Sequence, residues 1–178
     1  MLSSPPPARL LSIPSGEAGV TATLKLMAQI ARQYCSHPLI RQSAADLVNQ
    51  CAPHDQECEV ATLQAWVQNN IRYIHDVDEV ETLQTPDYTL QHGYGDCDDQ
   101  SILMASMLLS IGIKAAYVAI GIEGGPFSHV LPVAILRQHD RVLHLPCETT
   151  MTRDPKTGVP ITLGWFPVDA TSQKFFHV

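Results

Sequence analysis

The strongest constraint on the fold is a short acidic segment, Gly95 to Gln100, that runs directly into an apolar one, Ser101 to Ser110. The apolar segment lacks a polar stripe, which predicts a helix that is buried on nearly every face. Cys97 stands where a glycine turn meets the start of this helix. The N–H groups and partial positive charge of a helix N-terminus favour a thiolate over a thiol. Cys97 therefore has two interpretations, a reactive nucleophile and a small, inert core residue.

The composition predicts one acidic globular domain. Of the 178 residues, 45% are hydrophobic and 16% are charged, which is enough for a core. The net charge of −7 argues against binding to nucleic acid or to an anionic membrane. Met1 to Pro14 lacks the basic and apolar regions of a secretory signal, so a cytoplasmic location is expected. With five cysteines and no such signal, reduced thiols are the expectation.

Helical patterns precede strand patterns along the chain. Residues 1–16, which include three consecutive prolines, predict a flexible arm, and residues 17–178 predict a single domain. Apolar spacing predicts three helices and three strands, which are Gly19–Ser36, Leu39–Gln50, Gln56–Asn70, Lys114–Ile122, Ser128–Leu136 and Arg141–Cys147. The segment from His75 to Tyr94 is predicted to be an acidic, turn-rich loop. Helices followed by antiparallel strands predict an α+β domain, with the central helix packed on the sheet.

A thiol nucleophile requires a histidine that takes its proton and a third polar group that orients the imidazole. His129 is the best candidate for the base, because it lies at the start of a predicted strand after a glycine-rich turn. The hairpin that follows returns Glu148 to the neighbourhood of His129, so Glu148 is the first candidate for the orienting group. Asp169 is its rival, although Asp169 needs one more strand to reach the same place.

The motifs Gly95–Asp99, Ser128–His129–Val130 and Glu148–Thr149–Thr150 resemble, in this order, those of the transglutaminase-like superfamily of papain-like thiol enzymes. The resemblance is closer to small transglutaminase-like proteins of phages and prophages, and it covers about Asp46 to Pro167. It implies a papain-like fold and a cysteine peptidase, amidase or acyltransferase with the triad Cys97, His129 and Glu148. Such an enzyme acts on a peptide or protein substrate and needs no cofactor.

Two departures from the family pattern affect the expected reaction. Glu148 stands where the wider superfamily usually has aspartate, and one more methylene can still reach an imidazole. Val130 stands where animal-type transglutaminases often have tryptophan after the histidine. The second departure weighs against glutamine–lysine cross-linking more than against thiol chemistry.

Donors for an oxyanion are expected near the nucleophile. The N–H of Cys97 supplies one of them. Gln91 lies six residues earlier, which is the offset of the oxyanion glutamine in papain-like enzymes, and His92 and Tyr94 are the alternatives. Asp96, Asp98 and Asp99 are predicted to cap the first helical turn. Their negative charge raises the pKa of a thiol, so an ion pair with the imidazole would have to offset it.

Metal binding is not predicted. Cys51, His54, Asp55 and Cys58 lack the second unit of a zinc site, so plain packing or a disulfide is favoured. The acidic residues between Asp76 and Glu81 lack the glycine of a calcium loop. The alternative to an enzyme is a catalytically silent phage or prophage structural or assembly protein that retains the fold. Its partners would be phage structural proteins, and it would be associated with a virion.

Overall fold

A computed structural model describes residues 16–76, 82–138, 140–167 and 170–178. These residues form an α+β fold, as the sequence predicts. In chain order, the described elements are α1 (Gly16–Tyr34), α2 (Pro38–Val48), α3 (Gln56–Asn70), β1 (Arg72–Tyr73), α4 (Pro86–His92), β2 (Tyr94–Gly95), α5 (Cys97–Ser110), β3 (Lys114–Ile122), β4 (Phe127–Gln138), β5 (Arg141–Pro146) and β6 (Ala170–His177). The predicted arm lies largely outside the described residues.

Helix α5 is the element around which the others pack. Helices α1 to α4 surround it on one side, and strands β3 and β4 cover the other. Its apolar side chains, from Ile102 to Leu108, have no exposed surface. Burying one such side chain contributes about 1.5–3 kcal/mol. This burial confirms the prediction made from the missing polar stripe.

The two ends of α5 are fixed by hydrogen bonds that the sequence encodes. At the N-terminus, Asp96 Oδ1 accepts from the N–H groups of Asp98 (3.0 Å) and Asp99 (3.1 Å), and Asp99 Oδ2 accepts from the Asp96 N–H (3.3 Å). This reciprocal arrangement is a capping box. Gly95 is required beside it, because a Cβ there would lie 2.6 Å from Asp99 Cβ. At the C-terminus, Gly112 adopts a left-handed conformation that ends the helix.

Strands β3 to β6 form an antiparallel sheet in the order β5-β4-β3-β6. One face of this sheet packs on α5 through residues such as Tyr117, Val130 and Ala134. The opposite face carries a separate apolar cluster that includes Ile120 and Leu131. Successive side chains along each strand point to opposite faces of the sheet, as the pleat requires. Among the described residues, no helix is both long enough and apolar enough to cross a bilayer.

The segment His75 to Tyr94 is not only a loop, as predicted from its turn-forming residues. It contains helix α4, in which Pro86 occupies the first turn and Gly93 follows the last residue in a left-handed conformation. A proline at the start and a glycine just past the end are typical of a short helix. The sequence prediction missed α4 because the same residue types also form turns.

The C-terminal segment forms a strand that the sequence pattern did not reveal. Strand β6 pairs antiparallel with β3, so that Ala116 lies opposite His177 and Val118 lies opposite Phe175. Its residues include Ser172, Gln173 and Lys174, which dilute the β-branched and apolar signal of a strand. An edge strand of this kind is stabilised mainly by its pairing with a buried neighbour.

The loop between α2 and α3 carries a disulfide. Cys51 and Cys58 are bonded, with their Cα atoms 5.8 Å apart. The expectation that all thiols are reduced is therefore wrong for this pair. Asp55 caps α3 by accepting from the Cys58 N–H at 3.1 Å. Cys35, Cys97 and Cys147 remain as free thiols.

The capping box makes stability depend on pH. Burial raises the pKa of Asp99 to about 7 from an ordinary value of 3.8, although the Gln84 N–H bond opposes the shift. The folded state therefore holds this proton more tightly than the unfolded state. Its contribution to stability is present below pH 4 and is lost as the pH rises through 7. Between pH 5 and pH 8 this amounts to on the order of 3 kcal/mol.

We therefore predict that Asp99→Asn reduces the loss of stability between pH 5 and pH 8. The measurement is the free energy of unfolding in urea at both pH values for the wild type and the variant. Asp46→Asn, on the exposed surface of α2, is the matched control. An identical pH dependence in the wild type and Asp99→Asn would contradict the assigned ionisation.

Candidate active site

Cys97 is the first residue of α5, at the point where the helix N-terminus meets two other elements. Strands β1 and β2 pair in parallel, which places Tyr73 opposite Gly95, two residues before Cys97. On the sheet side, the Val130 N–H hydrogen-bonds to the thiol sulfur. The Ser101 hydroxyl donates to the Val130 carbonyl at 3.3 Å and links the same helix to the same strand. The thiol therefore lies beside the residue that follows His129.

His129 and Glu148 form a close pair at the end of the sheet. His129 Nε2 lies 2.8 Å from Glu148 Oε2. The Glu148 side chain has no exposed surface, and the His129 side chain is only 13% exposed. Burial alone would raise the pKa of Glu148, but hydrogen bonds from His129 and Thr150 hold it below its usual value. The hairpin of β4 and β5 thus brings these two residues together, as predicted from their spacing.

The loop after Glu148 fixes the position of its carboxylate. Glu148 Oε1 accepts from the Thr150 N–H (2.6 Å), the Thr150 hydroxyl (2.6 Å) and the Met151 N–H (3.3 Å). From helix α3, Gln68 Nε2 donates to the carbonyls of Glu148 (2.8 Å) and Met151 (2.7 Å). With Oε1 held by the loop, Oε2 is directed at His129. Gln68 carries no distinguishing signal in the sequence, because glutamine is common on the polar face of a helix.

The thiol is held in its protonated form. Burial raises the pKa of Cys97 well above its usual value, and the charges of Asp98 and Asp96 raise it further. The Val130 N–H opposes this shift, but it does not reverse it. Cys97 Sγ donates to Asp98 Oδ1 at 3.5 Å. The expectation that the helix N-terminus stabilises a thiolate is therefore wrong in this geometry, because burial and the adjacent carboxylates together outweigh the partial charge of the helix end.

A direct hydrogen bond links two of the three proposed catalytic side chains, His129 and Glu148. Among the hydrogen bonds of the described residues, none connects the Cys97 sulfur with the His129 ring, since the thiol proton is directed to Asp98. A thiol changes its hydrogen-bond partner by rotation about one side-chain torsion between staggered positions. In this structure the thiol thus bonds to Asp98, and it is linked to the His129–Glu148 pair only through Val130, the neighbour of His129 on β4.

The structure changes the set of candidate oxyanion donors that the sequence suggested. Gln91 lies in the last turn of α4 and is exposed, whereas the sequence predicted it in a loop. Tyr73 is a residue that the sequence analysis did not select. Partial burial raises its pKa to about 12, and the negative charges of Asp96 and Asp98 contribute to this shift. Its phenol therefore lies within electrostatic reach of the carboxylates that flank the thiol. Tyr73 lies just before the acidic loop that begins at His75, and this position is a signal that could have identified it.

Other predicted residues have structural roles or lie outside the described part of the chain. Asp96 and Asp99 cap α5, as expected. The Asp76 carboxylate accepts from the Thr82 N–H and hydroxyl. Asp78, Glu79, Glu81 and Asp169 lie outside the described residues. The comparison of Asp169 with Glu148 as the third residue therefore stays a prediction.

Comparisons with known proteins agree with this architecture. The sequence matches the transglutaminase-like superfamily over residues 44–170. No curated protein matches the chain. The family match spans the nucleophile candidate on α5, the β4–β5 hairpin and the loop that holds Glu148.

Three solved structures illustrate the similarity of fold. A proposed protease from Parabacteroides distasonis is 16% identical, with a TM-score of 0.52 over 64% of this chain and 24% of its own. A proposed cysteine protease from Cytophaga hutchinsonii is 20% identical, with a TM-score of 0.51 over 80% and 47%. EGTA-treated LapG from Legionella pneumophila is 11% identical, with a TM-score of 0.50 over 79% and 78%. The chain thus spans about a quarter and about half of the first two proteins.

We predict that Asp98→Asn accelerates alkylation of Cys97 at pH 7. Removing one negative charge lowers the pKa of the thiol by about one unit or more, which raises the thiolate fraction about tenfold. In the wild type, the alkylation rate should rise steadily with pH. The measurement is the rate of iodoacetamide labelling at Cys97, followed by peptide mass spectrometry.

The free thiol of Cys35 serves as an internal reference, and Asp46→Asn serves as a variant control. Alkylation of wild-type Cys97 that is already complete below pH 7 would contradict the raised pKa. An unchanged rate in Asp98→Asn would contradict the role assigned to that carboxylate.

Proposed function

Because the chain belongs to the transglutaminase-like superfamily, we propose that it is a cysteine-dependent enzyme that acts on acyl groups of a peptide or protein. The observation that supports this most is the buried His129–Glu148 pair beside the N-terminus of α5. The proposed reaction is peptide or amide hydrolysis, or acyl transfer, with Cys97 as nucleophile, His129 as base and acid, and Glu148 as orienting group. The proposed substrate is a peptide or protein, and the triad chemistry requires no cofactor.

The hydrogen bond between His129 and Glu148 supports different roles for the two ring nitrogens. A proton on Nε2 is donated to the Glu148 carboxylate, which leaves the Nδ1 lone pair free to accept the thiol proton. Glu148 is a suitable partner because its pKa is held low and it stays ionised. An ionised, buried carboxylate stabilises the imidazolium that forms when His129 takes the proton.

The reaction starts from a neutral thiol. Cys97 turns from Asp98 towards His129, and its sulfur attacks the substrate carbonyl while the proton passes to the imidazole. Collapse of the tetrahedral intermediate releases the amine, which takes that proton, and leaves a thioester on Cys97. Attack by water or by another amine, with His129 again as base, returns the thiol. Because Asp96 and Asp98 disfavour a free thiolate, general-base removal of the proton suits this site better than a preformed ion pair.

Two donors are proposed for the oxyanion. The Cys97 N–H is one, because the capping box uses the N–H groups of Asp98 and Asp99 instead. The Tyr73 hydroxyl is the other. A phenol with a raised pKa keeps its proton at neutral pH and remains a donor. In this proposal Tyr73 takes the role that the sequence suggested for Gln91.

A second candidate function is a catalytically silent structural or assembly protein of phage or prophage origin. The observation that favours it is the hydrogen bond of Cys97 to Asp98, which leaves the triad open in this geometry. For such a protein, a virion-associated location and phage structural partners remain proposals. For the enzyme, a cytoplasmic location remains a proposal.

The experiment that separates the two candidates is hydrolysis of a quenched fluorescent peptide library by the purified chain. We expect turnover that Cys97→Ser and His129→Asn abolish and that Glu148→Gln reduces by two orders of magnitude or more, about 10²–10⁴-fold. Cys35→Ser is the matched control and should retain activity. Tyr73→Phe should lower kcat about 10²-fold with little change in KM, because it removes one oxyanion donor.

Turnover that survives Cys97→Ser would rule out the proposed nucleophile. A folded wild-type chain that turns over no library member, with or without added amine acceptors, would support the silent alternative. Amine-dependent products in place of hydrolysis would identify acyl transfer as the reaction.

A further inference from the structure

The sheet face opposite α5 is only partly covered. Its apolar cluster around Leu131 and Val133 is buried beneath a segment that includes Phe166. Farther along the same face, the surface opens into a cavity of about 360 Å³. We call this the outer cavity and define it by six of its lining residues, Lys114, Ile135, Arg137, Val142, His144 and His177. It shares none of these residues with the proposed active site.

The strand register places the polar side chains of the outer cavity around Ile135. Lys114 on β3 and His144 on β5 both lie opposite Ile135, one on each side, which separates their backbones by about 10 Å. Arg137 is two residues farther along β4, and His177 lies opposite Ala116 on β3. Residues at these alternate positions point to the same face of the sheet.

The charge of the outer cavity is opposite to that of the whole chain. Its described lining contains lysine, arginine and two histidines but no carboxylate, although the chain has a net charge of −7. Neither Lys114 nor Arg137 is joined to a carboxylate by the salt bridges of the described residues. By contrast, Lys156 pairs with Glu123 at 2.8 Å, and Lys174 pairs with Glu17 at 2.8 Å. Two cations that converge on one concavity without a counterion favour an external anion.

Apolar and aromatic surface adjoins these charges. Val142 is 51% exposed and Phe175 is 45% exposed. The Phe175 ring lies edge-on to both His144 (5.6 Å between centroids) and His177 (5.1 Å). A concavity of this volume, with apolar walls and a few convergent polar groups, has the typical character of a small-molecule site.

We propose that the outer cavity binds a small organic anion, in which a carboxylate or phosphate group is attached to an apolar or aromatic body. The anionic oxygens contact Lys114 and Arg137, and the guanidinium of Arg137 suits a planar or tetrahedral oxyanion. The apolar body covers Ile135 and Val142 and stacks beside the aromatic residues of β5 and β6. This site is independent of the proposed catalytic function.

The test is isothermal titration of the full chain with phenyl phosphate and with benzoate, and benzyl alcohol is the neutral control. We expect at least one of the two anions to bind, the neutral analogue not to bind, and affinity to fall with increasing salt. The double variant Lys114→Gln/Arg137→Gln should weaken binding tenfold or more. Lys25→Gln/Arg41→Gln, which removes the same charge from exposed helix surface, should leave it unchanged.

The two anions separate a phosphate ligand from a carboxylate ligand. Inorganic phosphate tests the apolar wall and should bind at least tenfold more weakly than phenyl phosphate if the phosphate ester is the ligand. Failure of both organic anions to bind the folded chain would overturn the proposal, as would an equal loss of affinity in the two double variants. If Lys114→Gln/Arg137→Gln does not fold, NMR of the wild type locates the binding site instead. Titration with the anion should shift the ring resonances of His144 and His177. Unmoved resonances would place binding elsewhere.

Discussion

The complete burial of α5 is the constraint on which the rest of the structure depends. Because this helix exposes no apolar side chain from Ile102 to Leu108, it needs helices on one side and a sheet on the other. Its N-terminus then emerges at the end of the sheet, where β4 presents His129 and the β5 loop presents Glu148. The packing that stabilises the domain also places the proposed nucleophile beside Val130, the neighbour of His129. A substitution that shifts α5 would therefore affect both the stability of the fold and the geometry of the proposed active site.

The site balances two opposing electrostatic demands. The capping box requires carboxylates at the start of α5, whereas the thiol at the same position loses acidity beside them. In the proposed mechanism, the buried Glu148 carboxylate resolves part of this conflict, because it prepares His129 to accept a proton without a free thiolate. In the same proposal, the hydrogen bond to Asp98 holds the thiol until a substrate binds. In this account, substrate binding and proton transfer are coupled.

The sequence predicted the elements whose burial follows a simple period. The helices α1 to α3 and α5 and the strands β3 to β5 were identified because apolar spacing reflects packing on one core. Helix α4 and strand β6 were missed, since one is short and proline-initiated and the other is a polar edge strand. Spacing through a hairpin was enough to pair His129 with Glu148. The burial that raises the thiol pKa and the contacts of Gln68 depend on distances between remote segments, which periodicity does not encode. The Cys51–Cys58 bond depends on the local geometry of one loop, which apolar spacing does not reveal either.

The central claim is that Cys97 carries the acyl group during turnover. Rapid mixing of the chain with a peptide thioester or activated peptide ester, followed by acid quenching and intact mass spectrometry, tests it most directly. The account predicts a single added acyl mass that peptide mapping places on Cys97, and that persists longer when His129 is replaced by asparagine. Absence of the adduct at Cys97 while product accumulates, or its location on Cys35 or Cys147, would contradict the account.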